Sequence, residues 1–131
     1  MVRRVALVFG IVLVLVGILG LVSAGGMEMG ADPAAGMLLG MFPVNLLHNI
    51  VHLLFGIWGL VASRSFAGAK LYAQVGGVVY ILLAICGLVI PTPFGFIPIG
   101  GADIGLHAVI GLVLAGVGFT AKDQAMVAKP A

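Results

Sequence analysis

Four stretches of about 20 apolar residues, none of them holding a charged side chain, dominate this chain at about 5–24, 44–63, 71–90 and 104–121. A hydrocarbon core about 30 Å thick needs about 20 residues of helix at about 1.5 Å each. Lipid offers the backbone no hydrogen-bond partners, so such stretches must satisfy their own N–H and C=O groups as helices. The separators carry helix breakers: Gly25, Gly26 and Asp32-Pro33 after the first, residues 63–68 after the second, and Pro91, Pro93 and Pro98 after the third. The expected fold is an all-α membrane protein, a four-transmembrane-helix bundle forming a single domain over residues 1–131 with a short tail over 122–131. Composition closes the alternatives. Only 8% of residues are charged and mean hydropathy is +1.32, against about a quarter charged in a soluble domain. That excludes most soluble enzymes, disordered tails and nucleic-acid modules, and a single cysteine, Cys86, excludes a disulfide scaffold.

Orientation follows from the cations. Arg3 and Arg4 precede the first stretch, Arg64 and Lys70 lie between the second and third, and Lys122 and Lys129 follow the fourth. The other two loops hold none. This split predicts a multi-pass protein of the cell membrane with both termini cytoplasmic, N-in and C-in, and with Glu28, Asp32 and Asp103 on the outside. The first stretch imitates a signal peptide through Arg3-Arg4 and Val22-Ser23-Ala24, but its length suits a retained helix better.

Glycine occurs 21 times, and inside the stretches it recurs at helical spacing: Gly10 with Gly17, Gly56 with Gly59, Gly76 with Gly77, and Gly111 with Gly118. Small residues let helices approach closely where lipid supplies no hydrophobic force between them. The expectation is a compact bundle; some glycine faces could instead dock another subunit. A weak repeat accompanies them. Gly40-Met41-Phe42-Pro43-Val44 leads to Asn45 and Leu47-His48, and Gly95-Phe96-Ile97-Pro98-Ile99 leads to Asp103 and Leu106-His107. A parallel duplication of a helical hairpin would put His48 and His107 at similar depth.

Asn45, His48, Asn49 and His52 fall at i, i+3, i+4 and i+7, one stripe of a helix, which Gly56 and Gly59 continue. Asp103, His107 and Gly111 form a second stripe in the fourth stretch. The simplest bundle sets the two stripes face to face in the outer leaflet. Polar groups at that depth are costly unless satisfied, so the six side chains are a candidate site. Three readings fit. One is a structural network, with Asn45 and Asp103 as helix caps and Asp103 accepting from a histidine. A second is a metal centre of His48, His52, His107 and Asp103, or a haem held by one histidine from each helix. A third is a proton relay, which lacks ionisable residues in the inner half.

Other features are weaker. Met27, Met29, Met37 and Met41 crowd the first outer loop; thioethers suit copper(I), although methionine in an apolar loop is usually packing material. A short interfacial helix is expected over about 34–42, and a proline-stiffened hairpin resting on the headgroups over residues 94–99. Trp58 and Tyr80 are expected to pack mid-span, Tyr72 to sit at the cytoplasmic interface, and Cys86 to be buried and inert.

Asn45-x-x-His48-x-x-x-His52, together with Pro98-Ile99-Gly100-Gly101-Ala102-Asp103-Ile104-Gly105-Leu106-His107, resembles an uncharacterised family of small four-span bacterial membrane proteins, a domain of unknown function. The resemblance runs from the first stretch to about residue 121 and implies a four-helix fold without an activity. The residues therefore carry the functional expectation alone. It is a non-catalytic accessory or assembly subunit of a larger membrane complex, with the bilayer and other membrane subunits or a second copy as partners and no nucleic acid. The alternative is a metal- or haem-binding protein for electron transfer or redox sensing through His48, His52 and His107.

Overall fold

The computed structural model describes residues 1–23, 25–30, 36–90 and 96–123. Four helices account for most of them: α1 (Val2–Val22), α2 (Leu46–Ala62), α3 (Phe66–Val89) and α4 (Ala102–Thr120). A two-stranded antiparallel hairpin, β1 (Met37–Leu38) and β2 (Phe42–Pro43), sits between α1 and α2. Three helices, α1, α3 and α4, are long and apolar enough to cross a membrane. The 17 residues of α2 extend for about 26 Å, slightly less than a hydrocarbon core.

The helices pair as two antiparallel hairpins. At one end of α1–α2 the Arg3 Nε donates to the Ser63 carbonyl (2.9 Å), and at the same end of α3–α4 the Lys70 Nζ donates to the Ala121 carbonyl (3.1 Å). Glycine makes both pairings close. A Cβ on Gly10 would stand 2.7 Å from the Leu60 backbone nitrogen, and one on Gly118 would stand 2.6 Å from that of Gln74. Between the hairpins lie Leu13, Tyr72, Tyr80, Ile110 and Leu114, with Phe55 and Trp58 packed against them. The outward faces are apolar: Leu7, Leu15, Leu54, Leu82, Leu88 and Leu112 are exposed, whereas six polar side chains are buried. A surface more apolar than the interior suits hydrocarbon as solvent.

Several boundaries differ from the sequence expectation. Helix α3 starts at Phe66, well before residue 71, because the Ser65 hydroxyl accepts from the Gly68 backbone N–H (3.0 Å) and caps it. The helix expected over about 34–42 is, in its described part, the β-hairpin, since Leu39 (φ 54°) and Gly40 (φ 69°) both take left-handed conformations that end a helix; residues 34 and 35 lie outside the described set. Of the loop at 94–99, residues 94 and 95 also lie outside it, and Pro98 and Ile99 are buried rather than resting on a surface. Tyr72 is fully buried between the helices, edge-on to Trp58 at 5.1 Å. Cys86 is half-buried. Trp58 and Tyr80 pack in the interior as expected, Tyr80 against Phe55 at 5.7 Å.

Candidate functional site

The site lies at the end of the bundle opposite Arg3 and Lys70, where α2 and α4 begin. Asn45 caps α2. Its Oδ1 accepts from the His48 backbone N–H (2.8 Å), and its Nδ2 donates to the carbonyls of Gly30 (2.9 Å) and Phe96 (2.7 Å). One side chain thus starts a helix and ties both loops of this end together. Helix α4 starts differently. Its cap is Gly101, whose φ of 56° glycine tolerates, and no side chain caps it. Asp103 is therefore not the N-cap expected from its residue type. It lies inside the first turn and is 2% exposed.

From these starts the chain's three histidines converge. His48 and His52, one turn apart on α2, have ring centroids 4.5 Å apart; His107 on α4 stands 5.9 Å from the first and 6.4 Å from the second. One ring nitrogen from each lies within 4.8 Å of the others, and all three residues are buried. The expected face-to-face packing of α2 and α4 is not what brings them together. The two helices stand diagonally across the bundle, with no Cα of one within 8 Å of a Cα of the other. The rings reach inward across the gap.

Hydrogen bonding fixes the His107 ring. Its Nδ1 lies 2.7 Å from the Asp103 carbonyl and 3.2 Å from the Asp103 Oδ1. A carbonyl can only accept, so Nδ1 carries the hydrogen, and in the neutral ring Nε2 keeps its lone pair. His48 has the Pro43 and Pro98 carbonyls beside its ring. The Nδ1 atoms of His48 and His52 are buried and find no hydrogen-bond partner among the described residues, and neither does the second carboxylate oxygen of Asp103. Beside the rings is a cavity of about 30 Å³, walled by Val51, Phe55, Val79, Leu83, Ile97 and Ile99 together with Tyr80.

The six residues expected to form one network divide three ways. His48, His52 and His107 meet. Asp103 stands behind His107 and is not among the converging donors, so three nitrogens come together without the oxygen that was expected as a fourth ligand. Asn45 and Asn49 serve neighbours instead. Asn49 turns to α1, its Nδ2 donating to the Gly26 carbonyl (3.0 Å), in space left by Gly20, where a Cβ would collide with the Asn49 amide.

Buried imidazole nitrogens without hydrogen-bond partners are expensive as scaffold and suitable as ligands. An ion with metal–nitrogen bonds of about 2.0 Å holds its donors about 3.4 Å apart, which these rings reach by shifts of about 1 Å. A carboxylate hydrogen-bonded to the remote nitrogen of a ligating histidine orients the ring and raises its basicity, the place Asp103 occupies. A haem does not fit. The cavity of about 30 Å³ admits an ion or a water, not a macrocycle.

Sequence reasoning missed the carbonyls of Gly26, Gly30 and Phe96 as partners of the two asparagines, because backbone acceptors in loops leave no residue-type signal. It also missed Ile97 and Ile99 as walls of the cavity, although two apolar side chains beside a proline were open to that reading. A family model described as Domain of unknown function (DUF4383) matches residues 3–120. No curated protein and no solved structure matches the chain.

Proposed function

The chain belongs to this family of unknown function, and we propose that it is an integral membrane protein that holds one transition-metal ion on His48, His52 and His107. One observation carries the reading: the whole histidine complement of the chain, drawn from two helices that do not touch at their backbones, converges at one buried point. Asp103 behind His107 and the unpartnered Nδ1 atoms of the other two support it. Three imidazoles suit zinc, copper, iron or nickel and leave a position for a further ligand, as electron transfer or redox sensing would use.

In this proposal all four helices span the bilayer, α2 with the help of the extended Asn45 before it. Arg3, Arg4, Arg64, Lys70 and Lys122 gather at the end away from the site, which supports cytoplasmic termini and a metal centre in the outer leaflet. The two hairpins, each closed by glycines and each carrying a histidine near the start of its second helix, support a duplicated half. Metal analysis of the full chain purified from membranes tests the function. The expected result is one ion per chain, absent from His52→Gln and His107→Gln variants that elute as folded protein. A wild-type chain that retains no zinc, copper, iron, cobalt or nickel after loading would overturn it.

A second reading, an accessory or assembly subunit of a larger membrane complex, has its own observation. Gly105 and Gly116, together with Val109 and Leu112, form one exposed face of α4, and apart from the helix's own adjoining backbone no atom of the described residues comes within 4 Å of a Cβ built on either glycine. Such a smooth face suits a neighbouring transmembrane helix from another subunit or a second copy. Native-gel migration after mild solubilisation tests it: a larger assembly is expected, and a lone 13.3 kDa chain would contradict it.

A further inference from the structure

Resting on the metal-site reading above, we propose that the resident ion is copper(I), captured by exposed methionines of the α1–α2 loop and passed to His48, His52 and His107. Two independent observations carry the choice of ion. The first is charge. Three neutral imidazoles contribute none, and the carboxylate at the cluster is Asp103, buried with one oxygen at His107 and the other without a partner. Among the described residues, Glu28 is on the loop at this same end but exposed rather than buried with the histidines, and Asp123 lines a cavity at the opposite end. A monovalent ion beside one carboxylate is neutral. A divalent ion leaves a net positive charge among Val51, Phe55, Val79, Leu83, Ile97 and Ile99 unless it brings a hydroxide. Copper(I) is also satisfied by three nitrogen donors. Zinc completes a fourth position, commonly with water, and among the cavity's walls Tyr80 is the one side chain besides the histidines that carries a polar group for such a water.

The second observation is the loop. Met27, Met29 and Met41 are 64%, 68% and 52% exposed and Met37 is 37% exposed, so the fold leaves at least three of these side chains largely uncovered. The loop is pinned at the site end of the bundle, where the Leu46 N–H of α2 donates to the Glu28 carbonyl (2.9 Å) and the Val44 N–H donates to the Gly36 carbonyl (2.9 Å). A thioether is a soft, neutral donor that binds copper(I) and neglects zinc. Four of them on a loop pinned where α2 begins offer a capture surface selective for the ion that the charge balance favours.

The test loads metal-free full chain in detergent micelles under anaerobic conditions, with copper(I) held by a chromogenic chelator in one series and with zinc in another. Copper(I) is expected at one per chain and bound at least about 100-fold more tightly than zinc, with the copper lost in His52→Gln and His107→Gln. A variant carrying Met27→Ile, Met29→Ile, Met37→Ile and Met41→Ile should keep the stoichiometry and load about 10-fold more slowly. Retention of zinc but not copper(I) overturns this inference and leaves the metal site standing. Retention of no transition metal removes the metal site itself. Loading of the methionine variant at the wild-type rate overturns the capture route.

Discussion

Gly56→Ala puts the close packing of α1 on α2 to a quantitative test. A Cβ at this position would stand 2.6 Å from the Val14 backbone nitrogen and 2.9 Å from the Gly10 carbonyl oxygen. Both are main-chain atoms of α1, which no rotamer change can move aside. Ordinary non-bonded contact begins near 3.5 Å, so α1 and α2 must separate by about 0.9 Å at this level. Overpacking of this kind costs about 1–3 kcal/mol. Reversible unfolding of the purified chain in mixed micelles, followed by far-ultraviolet circular dichroism as denaturing detergent is titrated in, reads that loss. Gly116→Ala is the control. Nothing in the described structure opposes its Cβ, and removing a glycine from a helix should stabilise by about 0.5–1 kcal/mol. Gly56 lies one turn beyond His52, so the displacement should also weaken metal retention. The reasoning is refuted if Gly56→Ala unfolds at the same point as wild type, or later, while Gly116→Ala behaves as stated.

Four further outcomes follow from particular contacts. Asp103→Asn removes the carboxylate behind His107 without changing its size, and chelator competition should show metal affinity lower by about 10- to 100-fold with little change in the unfolding midpoint. Asn45→Ala removes the α2 cap and two ties to the loops, which should cost about 1 kcal/mol for the cap and about 0.6 kcal/mol for each tie, read by the same detergent titration. Asn45→Asp keeps an acceptor for the His48 N–H but loses both Nδ2 donors, so it should recover only the cap. Reporter fusions at the C-terminus should be active only as cytoplasmic enzymes, because the described cations gather at that end; activity of a periplasmic reporter there would reverse the proposed orientation.

The helices were legible because length and hydropathy suffice where the solvent is hydrocarbon: a charge-free run of about 20 residues has few other ways to satisfy its backbone. Their ends were less so. Residues 63–68 contain enough breakers to pass for a loop, yet the Ser65 hydroxyl begins α3 immediately, and the link from α2 is only a tight turn in which the Ser65 N–H reaches the Ala62 carbonyl (3.3 Å). The histidines could be placed on one stripe by spacing, which identifies a face. Spacing does not identify what the face meets. Asn49 shares that stripe and is spent on the Gly26 carbonyl, while His107 reaches the α2 histidines from a helix whose backbone does not approach that of α2. Asp103 has the residue type of a cap, and only the positive φ of Gly101 shows why the helix starts before it and leaves its side chain free to turn toward His107.

X-ray absorption at the edge of the bound metal tests the central claim most directly, because it reports the donor set without depending on activity. The account predicts three nitrogen scatterers at about 2.0 Å with the outer-shell signature of imidazole, reduced to two in His107→Gln if any metal remains. A first shell of oxygens, or one dominated by sulfur, would place the ion elsewhere and contradict the three-histidine centre.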